Sequence, residues 1–496
     1  MFDTLPPEAF DVLDDDALVG AIAGWARASA AADGRRLAAI AELVRRRCTD
    51  AHPTWACDDW DAAAAELACV LTVSDGRASG QMDLAVTLRD RLPRVGALLL
   101  RGEVDTRTAT SIAARTALVT DPGALAELDS VIAERATAWG PLSKYKLEQA
   151  VDVWVDSIDP GALRRTRNSV RGRDFTIGHP NDQAGTTSVF GRLATPDAAL
   201  LGERLKAMVH GVCDDDPRTS AQRRADAIGA LGAGSTHLSC RCGAQTCPAA
   251  DDDGRASSVV VHVIAEKPTA DAPPDPHLDG EGPAPDTSGP PGARAALIPG
   301  SGGGIVPAPL VAALIAHGAT ITPVRNPAPG AQPRYRPSTV LDEWVRMRDL
   351  TCRHPGCDRP AVSADIDHTV PYPAGPTHPA NLKCYCRTHH LVKTFWPGWT
   401  DRQRADGTMI VTTPSGRSYT TRPGSSLFFP NWDTTLAEPA GAPVGTGPTP
   451  VAPDGLRGLK MPTRARTRAR VRAGRLARER AVNDAVVGER NMPPPL

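Results

Sequence analysis

Aromatic residues make up only 4% of this 496-residue chain. Its core must therefore be built from Ala, Leu, Val and Ile, whose small side chains allow close helix packing. Long apolar runs are also missing. The aliphatic stretch Val95-Gly96-Ala97-Leu98-Leu99-Leu100 is far short of the ~18 residues that would suggest a membrane span. The net charge is −1, so the chain as a whole has no basic footprint, and any attraction to a polyanion must come from local patches. Lysine is scarce, with 7 against 49 arginines; beside the excess of Ala, Gly and Pro this reflects GC-rich coding and is not read as function. Residues Met1 to Phe10 are acidic and Pro-containing and lack the basic and apolar regions of a secretory signal, so a cytoplasmic protein is expected. The eleven cysteines, an odd number, then point to reduced thiols and metal ligands rather than a disulfide framework.

The length calls for two or three domains. Residues 10–266 read as mainly helical. Leu37, Ile40 and Val44 recur at helical spacing, as do Leu67, Val70 and Leu71. Asp105, Asp121-Pro122, Asp159-Pro160 and Asp216-Pro217-Arg218-Thr219 are helix starts. Thr186–Leu193 and Val259–Ile264 read as strands. Residues 267–304 hold 9 Pro and 8 Gly and read as a disordered linker. A connector at 305–335 contains the short apolar helix Leu310–Ala316, and a compact block follows at 336–432. A second Pro/Gly linker spans 433–459. The tail, 460–496, carries nine basic residues between Lys460 and Arg480 against one acid, Glu479, and reads as a phosphate-binding arm or a solvated tail.

The chemistry lies in the compact block. Five of the 12 histidines and four of the 11 cysteines fall within residues 352–390. The outer frame is Cys352-x4-Cys357 and Cys386-x2-His389, two short-spaced pairs of soft donors that suit a tetrahedral structural Zn2+. Cys384 reads as a core thiol, and His354 and His378 as loop residues. The inner frame is Asp367-His368, Asn381 and His390. A carboxylate oxygen and an imidazole can hold one divalent ion with positions left open. If Asp367 and His368 lie on a strand, their side chains alternate, which frees His368 to take a proton from water. His389 and His390, about 100° apart on a helix, can serve the two sites separately.

These residues, in this order, resemble the HNH (His-Asn-His, ββα-metal) endonuclease motif in its zinc-ribbon form. The segments Arg101-Gly102-Glu103, Asp159-Pro160 with Arg167, and Asp216 through Asp226 resemble the helical domain of unknown function that precedes such ribbons in a repeat family of high-GC bacteria. The resemblance implies an α+β protein, a mainly helical domain followed by a small zinc-ribbon nuclease domain. It implies that His368 is the general base, that Asp367 and His390 bind catalytic Mg2+ or Mn2+, and that Asn381 braces the loop or orients His368. Cys352, Cys357, Cys386 and His389 would hold the ribbon zinc, with His389 standing where many relatives have cysteine.

A nucleic-acid substrate, DNA by the resemblance, is expected to meet Arg346, Arg348, Arg353, Arg359, Lys383, Arg387 and Lys393. Phe395, Trp396 and Trp399 read as packing against the ribbon. Cys240-x-Cys242-x4-Cys247 is a weaker metal pattern, with His237 or Cys213 as fourth ligand; Cys48, Cys57 and Cys69 read as packing residues. Two other classes of function remain open, a non-catalytic nucleic-acid-binding ribbon and a helical interaction scaffold.

Overall fold

The computed structural model describes residues 10–140, 142–163, 174–178, 182, 185–193, 195–250, 262–273, 295–298, 304–316, 319–435 and 460–490. The protein is mainly helical with small antiparallel sheets, an α+β architecture.

Seven helices form the first body: α1 (Asp15–Arg47), α2 (Asp59–Leu71), α3 (Asp75–Asp90), α4 (Pro93–Arg101), α5 (Thr106–Arg115), α6 (Pro122–Ala136) and α7 (Lys144–Ile158). Their starts are chemical. Asp14, Asp105, Asp121 and Ser143 each accept a bond from a first-turn N–H, and Asp58 and Asp61 close a reciprocal box on α2. The core is rich in alanine, including Ala63, Ala64, Ala68, Ala78 and Ala85 beside Leu37, Ile40, Val44, Leu67 and Leu99. Val70, expected on the buried face, is 46% exposed. At Gly34 a Cβ would stand 2.9 Å from the Leu100 backbone nitrogen, so α1 and α4 approach only because glycine is there. Asp129 of α6 is buried and accepts from Arg94 N and Val95 N, capping the first-turn donors of α4 from a neighbouring helix.

Asp159-Pro160 opens a short 3-10 helix, Pro160–Ala162, and not an α-helix, and the Asp159 side chain makes no capping bond there. Asp159 already ends α7, and its carboxylate is occupied by Arg480. A hairpin follows, β1 (Asp174–Ile177) with β2 (Val189–Arg192), then α8 (Thr195–His210) and α9 (Ser220–Gly232). Of the expected strand Val259–Ile264, residues 259–261 lie outside the described residues, and Ile264 bridges to Leu297. The ends of the expected linker 267–304 are folded: Lys267–Ala270 is helical, and Ala296–Leu297 pairs with Ile305–Val306. The cause is apolar burial, since Ala296, Val306 and Val311 form a small core with Val263 and Ile298. Residues 274–294, 299–303 and 436–459 lie outside the described residues.

The C-terminal block is a helix Thr339–Asp349, a hairpin of Asp365–His368 with Leu382–Tyr385, a helix Arg387–Phe395, and a three-stranded meander, Thr400–Gln403, Met409–Thr412 and Ser418–Thr421. It shares a core with α2, in which Cys57, Ala65 and Cys69 pack with Leu391, Val392, Trp399 and Met461.

The basic tail is docked on the first body. Thr463 pairs with Trp55, and a helix runs from Arg468 to Arg490. Arg464 and Arg468 pair with Asp58 and Asp61, Arg480 pairs with Asp159, and Asn483 donates to Gly161 O and Leu163 O. The expectation of a free arm is corrected for these residues. Their charge is spent on acidic caps of the helical body. Among the described residues, no helix is long and apolar enough to cross a membrane.

Candidate functional site

The site is a β-hairpin followed by a helix. Alternation along Asp365–His368 places Asp365 and Asp367 on one side and Ile366 and His368 on the other. The pairing sets Lys383 directly across from Asp367, and on the helix His390 and Lys393, three apart, share a face.

Those groups converge on Asp367. Lys383 Nζ lies 2.8 Å and Lys393 Nζ 2.7 Å from its Oδ2, while His390 Nε2 stands 3.5 Å from Oδ1. Burial alone would raise the Asp367 carboxyl, but the charges of Lys383, Lys393 and His390 hold it below the usual carboxylate range. Lys383 is fully buried and also pairs with Asp401 at 2.9 Å. On the far edge of His390, Nδ1 lies 2.8 Å from Asp365 Oδ2.

His368 faces away from this cluster. Its Nε2 is 2.9 Å from Thr377 Oγ1, and its ring stacks on Tyr335 with centroids 5.2 Å apart. Thr377 spends its hydroxyl proton on the Arg334 carbonyl. It can then only accept from His368, which places the ring proton on Nε2 and leaves Nδ1 with the free lone pair. Burial, with Lys383 and Lys393 nearby, lowers the affinity of the ring for a second proton, against the opposing pull of Asp367. Asn381 does not touch the ring. Its amide accepts from Val370 N and donates to Val370 O and Pro376 O, clamping the loop that leaves the strand.

The second feature is a set of soft donors. Cys352, Cys357, Cys386 and His389 present atoms that all lie within 4.8 Å of one another, a group that could hold a zinc ion. His389 Nδ1 is 3.3 Å from Cys386 Sγ and 3.5 Å from Cys352 Sγ. Its other nitrogen, Nε2, lies 3.2 Å from Asp75 Oδ1 at the start of α3, so a carboxylate from the helical body fixes the ring. His354, in a loop as expected, is buried and stacks on His389 at 3.7 Å between centroids, nearly parallel. His378 is likewise buried, and its Nδ1 accepts from Ala380 N. A second group, Cys213, Cys240, Cys242 and Cys247, also gathers within 4.8 Å; His237 is not part of it.

Most of the expected phosphate contacts are spent inside the fold. Arg348 is buried, donating to Pro379 O and Leu382 O beside Asp349. Arg353 is buried and donates to the carbonyls of Gly407, Thr421 and Arg422. Arg346 pairs with Asp342 and donates to Ala361 O and Ala364 O. Lys383 and Lys393 serve Asp367. A phosphate reading is set aside for these five, because each already donates to carbonyls or carboxylates inside the fold. Arg359 and Arg387 are exposed; Arg359 reaches Thr388 and the Cys386 sulfur, and Arg387 pairs with Asp365 at 3.2 Å. Trp399 is buried and Trp396 donates to Cys57 O, so these aromatics join the Cys/His block to α2.

The residues missed in sequence are Asp75, Tyr335, Asp365, Thr377 and Asp401. Asp365 alone had a local signal, two positions before Asp367 on the same strand face.

Comparison with known proteins gives a family without an activity. The pattern of a family described as "Domain of unknown function (DUF222)" matches residues 25–349, which reaches through the helix Thr339–Asp349. Two proteins of Mycobacterium tuberculosis strain H37Rv, "Uncharacterized protein Rv2100" and "Uncharacterized protein Rv3776", are each 54% identical to this chain, over 516 and 491 residues. Those alignments take in 100% and 97% of this chain and 93% and 92% of the relatives. A third, "Uncharacterized protein in est 3'region" of the same species, is 54% identical over 67% of this chain and 96% of its own length. No solved structure matches the chain. From the first helix to the threshold of the Cys/His block, this chain belongs to the DUF222 family.

Proposed function

We propose that the block 336–432 is an HNH-type endonuclease that hydrolyses phosphodiester bonds of nucleic acid, DNA by the resemblance of its motif. The observation that carries this reading is the pair Asp367 Oδ1 and His390 Nε2, 3.5 Å apart. With the His390 ring proton on Nδ1 facing Asp365, the Nε2 lone pair points at a carboxylate oxygen. Asp367 Oδ1 and His390 Nε2 are the atoms that would hold a divalent ion. The donor set, one carboxylate oxygen and one imidazole nitrogen, fits Mg2+ or Mn2+. A bound ion would supply positive charge to the scissile phosphate and the leaving oxygen.

The rest is done by the chain. In this reading the base is the Nδ1 of His368, left unprotonated by Thr377 in a ring stacked on Tyr335, and it takes the proton of the attacking water from the strand face opposite Asp367. Asn381 holds the loop that follows the base. Lys383 and Lys393 keep the second oxygen of Asp367 from wandering. Cys352, Cys357, Cys386 and His389 would hold a structural Zn2+ beneath the helix that carries His390.

A second reading has its own support. Both lysines already neutralise Asp367 Oδ2, and Asp401 completes the network with no need of an ion. That closed network suits a non-catalytic nucleic-acid-binding ribbon. Cleavage of supercoiled, linear and single-stranded DNA and of RNA, with Mg2+ or Mn2+ and with EDTA, separates the two. The nuclease reading expects metal-dependent cleavage that falls at least a hundredfold in His368→Ala, with zinc content and circular dichroism unchanged. Binding without cleavage under every metal, or equal cleavage by that variant, overturns it.

A further inference from the structure

The helices α8 and α9 close a small body with little to hold it. Its buried apolar residues are Met208, Val212, Ala227 and Leu238, together with Cys240. The segment 236–250 that covers them contains no helix or strand, and such a segment rarely holds its shape on so small a core. Four thiols meet there. Cys213 leaves the end of α8, and Cys240, Cys242 and Cys247 come from the covering segment.

The two arms are laced together around the thiols. Asp216 and Arg218, both buried, form an ion pair at 2.7 Å just after Cys213. Asp216 Oδ2 accepts from Arg241 N, between Cys240 and Cys242, and Arg218 donates to Ser239 O. Cys240 N donates to Ala249 O, and Cys247 N donates to Ala244 O, which turns the last thiol back toward the others. Each arm thus presents its sulfurs at a position fixed by backbone bonds. The sulfurs of Cys213 and Cys240 stand 3.3 Å apart, well beyond the ~2.05 Å of a disulfide. Four thiolates around Zn2+ at ~2.3 Å would be separated by a little under 4 Å, comparable to the spread seen here.

We propose that Cys213, Cys240, Cys242 and Cys247 form a second zinc site of the all-cysteine type, and that it pins the segment 236–250 to the α8–α9 pair. The site is structural, with four protein donors and no open position, and is independent of any cleavage activity. His237 stands outside it.

The test uses the full-length protein purified under reducing conditions. Zinc per chain is measured by plasma mass spectrometry, and the Co2+-substituted protein is read by absorption. The wild type is expected to hold two zinc ions. Cys242→Ser, and separately Cys357→Ser, each lower this to one, while His237→Ala keeps two. The Cys357→Ser protein loaded with Co2+ is expected to show the charge-transfer and ligand-field bands of four sulfur donors. Where Cys242→Ser fails to fold, that spectrum still decides the matter. One zinc in the wild type, lost on Cys357→Ser, overturns the proposal. So does a Cys213–Cys240 disulfide found by peptide mapping, iron in place of zinc, or a mixed sulfur–nitrogen spectrum in the Cys357→Ser protein.

Discussion

At the scale of single residues, the site is a set of buried charges that answer one another. Lys383 is wholly enclosed between Asp367 and Asp401. Lys383→Met removes one of two cations and leaves Lys393 alone to serve the buried carboxylates of Asp367 and Asp401, a loss expected to cost about 3–5 kcal/mol. Urea unfolding of variant and wild type measures it, and a change below 1 kcal/mol would mean the network is solvated. Asp75 acts on the other site through His389 Nε2. Asp75→Asn is expected to weaken zinc retention by about 10–100-fold, read by competition with a chromophoric chelator, while the far-ultraviolet spectrum stays the same. The soft donors were legible in sequence because zinc ligands come in pairs with short spacing, so four residues declare themselves locally. Asp75 was not legible, since it lies over 300 positions from the ring it steadies. The arginines misled for a different reason. Charge is visible in a sequence and burial is not, and Arg348 and Arg353 use their forks on backbone carbonyls inside the fold.

At the scale of elements, the capping residues were read well and the tail was not. Asp105 and Asp121 start helices where the sequence placed them, because an N-cap acts within one turn. Asp159-Pro160 has the same local form yet ends a helix, since Arg480 claims the carboxylate from far along the chain. The C-terminal helix is a strap whose arginines land on the acidic start of α2. Burial would raise the Asp58 carboxyl, but Arg468, the Asp61 N–H and Arg464 hold it below the usual range, while burial and the neighbouring Asp58 push Asp61 above it. A carboxyl whose folded value is depressed contributes stability above its unfolded value near ~3.9 and loses it as pH falls through the folded value. The strap contact is therefore expected to hold at neutral pH and release in acid. A protease site inserted after residue 450, cleaved and followed by gel filtration at pH 7 and pH 3, checks this. Arg464→Ala with Arg468→Ala should release the strap at pH 7 as well; a strap that stays bound in that variant would show that Met461 and the Trp55 pairing suffice.

At the scale of the whole molecule, the helical body and the Cys/His block share one core. Cys57, Ala65 and Cys69 meet Leu391, Val392 and Trp399 there. Removal of zinc is expected to lower the melting temperature of α1–α7 together with that of the block, in one calorimetric transition. Two separate transitions, only one of them sensitive to EDTA, would show the bodies to be independent. Sequence order suggested beads joined by linkers, because composition marks linkers but says nothing of contacts across them. The turn between Cys352 and Cys357 gives the contact in detail. Gly356 has φ +76°, and a Cβ there would stand 2.6 Å from Val73 O. A ligand loop seated so closely on the start of α3, with Asp75 braced against its histidine, is not a cassette. In a chimera between two relatives, a crossover anywhere between residues 75 and 352 would inherit the loop from one parent and its seat from the other. Recombinants joined at the apparent boundary should then mismatch at residues 73–75, and restoring those three from the donor parent should repair them.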